Sequence, residues 1–290
     1  MRLNLNNGCV LCPALCKVNR AEQTGACGAG EKIKIAKYYL HKFEEPCISG
    51  ERGSGTVFFC GCALKCKFCQ NYELSRALRG KEISVNELAD IFRELEYSGA
   101  ENINLVTPTQ YSDKIIDALE IYRPKIPVVY NTHGYERLEI LQEIDGYINV
   151  FLPDLKFFSP ILSERYTNRK DYFDVASRAV KFMAKKPLIF DENGIMKSGT
   201  IVRHLVLPTC TRDSKNIIDF LADFKDDIYL NIMSQYTPFG DLKTVPELNR
   251  VITAREYDTV IDYAISRGFE KMFYQKRSSA SAEYVPEWDY

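Results

Sequence analysis

The sequence predicts an α/β chain: a parallel, partly closed barrel of the (βα)6 type with a cysteine-rich, metal-binding segment ahead of it. Three observations carry this expectation. From residue 55 onward short apolar stretches alternate with amphipathic ones. A loop holding Cys62, Cys66 and Cys69 follows the first predicted strand. Four further cysteines crowd residues 9 to 27.

With 290 residues, 46% of them apolar, the chain can bury one full core. The expected organisation is a leader over 1–50, a barrel over 51–275 and a tail over 276–290 that closes the barrel mouth. A net charge of −1 argues against a general binder of nucleic acid. No stretch reaches the roughly 20 apolar residues of a membrane span, and the N-terminus does not open a signal peptide. A cytoplasmic protein is expected, in which ten cysteines serve as metal or redox ligands rather than disulfides. Exposed low-potential clusters would further imply an anaerobic setting.

The leader shows no helical or strand period and is too small to make a core, so a metal is expected to hold it together. Cys9, Cys12, Cys16 and Cys27 suit zinc, a single iron or an auxiliary iron–sulfur cluster. Cys47 is an alternative to Cys27, and Cys60 reads as core. Strands are expected at 56–60, 102–106, 127–131, 148–152, 200–207, 228–232 and 271–274, each short and rich in β-branched or aromatic residues. Ser84 and Glu87 form a capping box opening a helix to about residue 97, with Leu88, Ile91, Phe92 and Leu95 on one face. Further helices are expected at 113–122 (capped by Ser112), 171–185, 213–225 and 254–267, and a hairpin turn at 191–194.

The loop cysteines stand three and then two residues apart. Three thiolates so spaced can hold three corners of a 4Fe-4S cubane and leave one iron open for chemistry. A closed structural zinc site is the competing reading, but it needs a fourth ligand, and none follows Cys69 before His133. Downstream, Asp154 and Lys156 are two apart and so point to one side of an extended segment. Such an acid–base pair at a strand's C-terminal end is a site candidate. Arg203 and His204 alternate to opposite sides, so one of them is structural. Asn231, Met233 and Gln235 fall on one face of a later strand.

The cysteine loop, with Phe68 just before its last cysteine, resembles the signature of the radical S-adenosylmethionine (SAM) enzymes. The stretches from Cys47 to Tyr72, Asn102 to Thr109, Leu152 to Lys156, Val202 to Pro208 and Asn231 to Tyr236 look like its pyruvate formate-lyase activating-enzyme-like branch, as do Cys9-Val10-Leu11-Cys12-Pro13 and the cysteines after it. The resemblance implies that Cys62, Cys66 and Cys69 carry the 4Fe-4S cluster and that SAM is bound near Phe68. It implies that Thr107, Pro108 and Thr109 stand where the family has a Gly-Gly-Glu stretch, contacting the SAM amino group without its carboxylate. It also implies that Asn131 reaches the ribose, Lys156 the SAM carboxylate or ribose, Asp154 a ribose, cation or substrate, and Arg203 the SAM carboxylate. His133, Phe157, His204, Asn231, Gln235 and Tyr236 are candidates to face substrate.

Two reactions follow from the resemblance. One is hydrogen abstraction from a sealed small molecule, for which a queuine lyase, splitting a deazaguanine base from its cyclopentenediol, is the specific candidate. The other is activation of a glycyl radical enzyme partner, which needs a mouth wide enough for a peptide loop. A flavodoxin- or ferredoxin-type donor would supply the electron. A third, non-catalytic reading is an iron–sulfur electron carrier.

Overall fold

The computed structural model describes residues 8–240 and 242–274. The tail expected over 276–290 lies outside the described residues. Chain order runs β1 (Ile33–His41), α1 (Pro46–Ser49), β2 (Ser54–Phe59), α2 (Tyr72–Ser75), β3 (Lys81–Ile83), α3 (Val85–Tyr97), β4 (Ile103–Val106) and α4 (Ser112–Ile121). It continues β5 (Val128–Thr132), α5 (Leu138–Ile144), β6 (Val150–Pro153), α6 (Pro160–Thr167), α7 (Tyr172–Met183), β7 (Ile189–Phe190) and β8 (Met196–Leu205). The last elements are α8 (Thr211–Ala222), β9 (Tyr229–Met233), α9 (Ala254–Ser266) and β10 (Met272–Tyr274).

The seven expected strands are β2, β4, β5, β6, β8, β9 and β10, and they pair in that order, all parallel. β2, β5 and β6 are buried along their whole length, as a sheet covered on both faces requires. The path ends at β3 and β10 without closing, so the barrel is partial. α3 begins with the expected capping box, and Leu88, Ile91, Phe92 and Leu95 all face inward. Fully burying each contributes roughly 1.5–3 kcal/mol. The hairpin turn also forms, joining β7 to β8 antiparallel.

Three expectations need correction. The leader does contain a strand: β1 runs antiparallel between β2 and β3, and it carries its chain to the rim of the barrel. Its Ile33 and Ile35 alternate inward, a period hidden among the flanking glycines and lysines. Ser112 does not cap α4 but lies within it, its hydroxyl bonded to the Thr109 carbonyl. Cys47 packs in α1 against Ile48, Val129 and Val150, and so cannot stand in for Cys27, which lies in a separate core cluster with Cys12. No described helix is long and apolar enough to cross a membrane.

Candidate functional site

The loop leaves β2 at Phe59 and turns sharply, with Lys65 at φ 48°. Its main chain is held from outside: Arg169 donates to the Ala63 carbonyl at 3.2 Å and Arg76 to the Lys65 carbonyl, while the Lys67 N–H reaches Tyr166 O at 2.9 Å. Phe68 anchors the far side, edge-on to Phe157, Tyr166 and Tyr236. The three cysteines therefore face the barrel axis from a loop with little freedom. Burial pushes the Cys62 thiol up to about 11 and raises Cys66 as well. The Ser75 hydroxyl points at Cys69 Sγ at 3.5 Å.

Opposite the loop, the strand ends gather charge. Lys156 Nζ meets Asp154 at 2.6 Å, confirming that the two share a side. Arg203 spans three partners: Nε to Asp154 at 2.8 Å, Nη2 to Asn131 Oδ1 at 2.6 Å and Nη1 to Glu44 at 3.4 Å. Burial alone would raise Asp154, but Arg203 and then Lys156 outweigh it and hold its carboxyl below the usual range. Glu44 and Glu45 come from the turn after β1 and enter the barrel beside this group. Glu44 accepts from Asn104 at 3.0 Å and Glu45 from Asn231 at 2.7 Å. Burial raises both carboxyls, with Arg203 opposing.

Two adjoining cavities result. One, of about 140 Å³, is lined by Cys62, Cys66, Cys69, Thr107, Asn131, His133, Asp154, Lys156 and Arg203. The other, of about 240 Å³, shares Cys66, Cys69, Asn131, Asp154, Lys156 and Arg203 and adds His41, Phe43, Glu44, Phe58, Phe68, Gln235 and Tyr236. His133 accepts the Tyr135 N–H at Nδ1, so the proton of its neutral ring sits on Nε2. That donor is buried and has no partner, so the smaller cavity presents it to any ligand carrying an acceptor. Burial, reinforced by Lys156, holds the ring neutral by lowering its pKa to about 4. Thr107 stands at φ 58°, its N–H tied to Asn131 O across the strand ends. Gly134 is required where it is: a Cβ there would lie 2.3 Å from the Asp154 carbonyl.

Other expected residues sit elsewhere. His204 points away from the axis, bonded at 2.8 Å to both Leu155 O and Ser214 Oγ, and Phe157 is buried behind Phe68. Neither lines either of these two cavities, because each is spent on packing the helix layer. Asn231 faces Glu45 rather than either cavity. Tyr236 reaches the larger cavity with its ring while its hydroxyl is bonded to Leu248 O. Thr109 is turned inward onto Glu136, and Pro108 lines neither cavity. Sequence reasoning missed Glu44, Glu45, His41 and Phe43. The adjacent acids before Pro46 were the signal available, since two carboxylates running into an apolar helix start seldom lie idle.

These residues suit an iron–sulfur cluster and SAM. Three thiols share a cavity with a buried ammonium and guanidinium that would offset thiolate charge, and a free imidazole donor and amides face a polar ligand. Among the described residues no three His, Cys, Asp or Glu side chains are gathered tightly enough to grip a single metal ion, an arrangement that a cluster with one thiolate on each iron does not require.

The profile of the Radical SAM superfamily matches residues 56–221. The chain is 33% identical over 278 residues to the uncharacterized protein MJ0674 of Methanocaldococcus jannaschii, covering 90% of this chain and 75% of that protein. Among solved structures, Streptococcus suis SuiB is 16% identical, with a TM-score of 0.52 over 75% of this chain. The likeness to SuiB is one of fold, and the chain spans only 47% of that structure's length.

Proposed function

From the premise that the chain belongs to the radical SAM superfamily, we propose that it is an enzyme acting on a small molecule held in the larger cavity. The family implies a 4Fe-4S cluster and SAM, which together supply a 5'-deoxyadenosyl radical that abstracts hydrogen. In this reading Cys62, Cys66 and Cys69 hold the cluster. Lys156, with two ammonium protons beyond its bond to Asp154, and His133 Nε2 orient the SAM carboxylate and polar groups. Arg203 is already engaged by three partners and acts chiefly by fixing Asp154 and Asn131. Cys9, Cys12, Cys16 and Cys27 hold a second metal. A flavodoxin- or ferredoxin-type protein supplies the electron, in a cytoplasmic, oxygen-poor setting that agrees with ten unpaired cysteines.

The observation that carries the reading is the continuity of the two cavities. They share seven polar or thiol residues, Asn71 among them, so a molecule beside His41, Phe58 and Gln235 sits directly against the radical source. A planar heterocycle of the queuine kind fits the aromatic and amide lining, in which His41, Phe43 and Phe58 rather than Phe157 supply the rings. The activating-enzyme reading keeps the same site but needs a peptide glycine to reach it, and the exposed lip at Phe43 is what favours it.

Anaerobically reconstituted protein given dithionite is expected to convert SAM to 5'-deoxyadenosine, and Cys66→Ala to lose more than about a thousandfold of that activity. Retained activity in the variant would sink the cluster assignment. Deazaguanine release from queuine separates the lyase from the activase, whose signature is a glycyl radical on a partner by electron paramagnetic resonance. Bound iron with no SAM cleavage would leave only the electron carrier.

A further inference from the structure

The two cavities differ in the charge of their walls. Both are bounded by Asp154, Lys156 and Arg203, and the two cations each bond to Asp154. In the reading above, the surplus positive charge of this group is met by the SAM carboxylate. Beyond the shared residues, the larger cavity has one charged side chain among the described residues, Glu44. His41 on the same wall is kept neutral by burial, its Nδ1 sharing a 3.0 Å hydrogen bond with the Tyr39 hydroxyl. Most of what remains is rings and amides, Phe43, Phe58, Tyr236 and Gln235 among them.

The Glu44 carboxylate is fixed in place but incompletely paired. Its main-chain N–H donates to Ser49 Oγ at 3.0 Å, and its neighbour Glu45 is tied across the barrel to Asn231 at 2.7 Å. Oε1 accepts from Asn104 at 3.0 Å and from Asn131 at 3.4 Å. Among the described residues, Oε2 has only a 3.4 Å contact with Arg203, whose shorter bonds go to Asp154 and Asn131. A carboxylate oxygen can accept two hydrogen bonds, so Oε2 has room for a further donor. The surrounding layer does not supply one: the buried side-chain atoms left unpartnered there, Asn104 Oδ1, Glu45 Oε2 and Asn231 Oδ1, are all acceptors. Burial disfavours the charge on Glu44, and a cation in contact with it would offset that cost.

We propose that the larger cavity selects a positively charged substrate, an amine, amidine or guanidine on an apolar or aromatic body, and that Glu44 Oε2 receives its N–H. The inference rests on the small-molecule reading above and adds the charge of the molecule. The rings favour the same choice, since aromatic faces attract cations. A peptide glycine, which is neutral, makes no use of Glu44.

The test uses the cluster-reconstituted full chain, saturated with SAM under nitrogen, and measures binding of benzamidinium, benzamide and benzoate by equilibrium dialysis. These probes are close in shape and differ in charge. The wild type is expected to bind benzamidinium on the order of tenfold more tightly than benzamide, and benzoate most weakly. Glu44→Gln is expected to bring benzamidinium and benzamide within about twofold of each other, and Glu44→Asp to keep their order. A benzamidinium carrying a diazirine adds a readout on the wild type that no variant's folding can disturb: light is expected to attach it to the peptide containing Phe43 and Glu44. Equal affinities in the wild type, a preference that survives Glu44→Gln, or attachment elsewhere overturns the inference. Absence of SAM cleavage by the wild type overturns the radical-enzyme reading and the inference with it, whereas cleavage without a charge preference overturns the inference alone.

Discussion

The two cysteine groups of this chain are built in opposite ways. The loop after β2 offers three sulfurs to a cavity it shares with Lys156, Asp154 and Arg203, and its backbone is pinned from behind by Arg169, Arg76 and the ring of Phe68. The leader sulfurs lie away from both barrel cavities, and Cys27 Sγ is met by the main-chain N–H of Ala29 at 3.4 Å. Three thiols beside a cavity leave room for chemistry, whereas thiols turned onto main chain are held away from it. The contrast teaches that cysteine count alone is an incomplete guide, and that what the sulfurs face decides what they can do.

The sharpest attack on this contrast is at Arg203. Arg203→Met leaves Asp154, Glu44 and Glu45 buried without their guanidinium, and breaking such a group costs about 3–5 kcal/mol. Urea unfolding under nitrogen is expected to show that loss. A loss below about 1 kcal/mol would mean that the cavity charges are solvated and the two regions less different than they look.

Glu136 tests the boundary between the regions, since it lies under Thr109 and Thr132. Burial pushes its carboxyl up to about 7 against hydrogen bonds that pull it down. A raised folded value means that the neutral acid is favoured in the fold. Its stability contribution is thus fully present below the unfolded value near 4.5 and is lost as pH rises through 7. Glu136→Gln is expected to flatten that stretch of the stability profile and to be more stable at pH 8 by up to about 3 kcal/mol. An unchanged slope between pH 5 and 8, followed by thermal unfolding, would show that Glu136 is hydrated.

The smallest effect is expected at Phe43, 65% exposed on the lip of the larger cavity. Phe43→Ala should shift stability by no more than about 0.5 kcal/mol. It should leave dithionite-driven SAM cleavage within about twofold. A larger fall in cleavage would extend the radical compartment out to the lip.

Much of this architecture was legible because short apolar runs such as Val57-Phe58-Phe59 and Val150-Phe151-Leu152 announce strands buried on both faces. The pair Asp154 and Lys156 was legible for a similar reason, since alternation alone decides which side chains meet. β1 was not, because its inward residues Ile33 and Ile35 are followed by lysines, tyrosines and a histidine that tolerate partial exposure. Nor were Glu44 and Glu45: their burial depends on Asn104, Arg203 and Asn231, between 60 and 186 residues away along the chain. His204 shows the converse limit, as alternation put it opposite Arg203 but could not say which of the two faced inward.

The acids and bases on the barrel axis also have an electroneutrality consequence. Arg203 and Lys156 hold Asp154 ionised, whereas burial pushes Glu44 and Glu45 toward their neutral forms. The net charge of this little-hydrated region is therefore set by two carboxyls that can gain or lose a proton without moving. A visitor bearing a positive charge, as the sulfonium of SAM does, would favour their ionised forms, so its arrival is expected to be coupled to proton release.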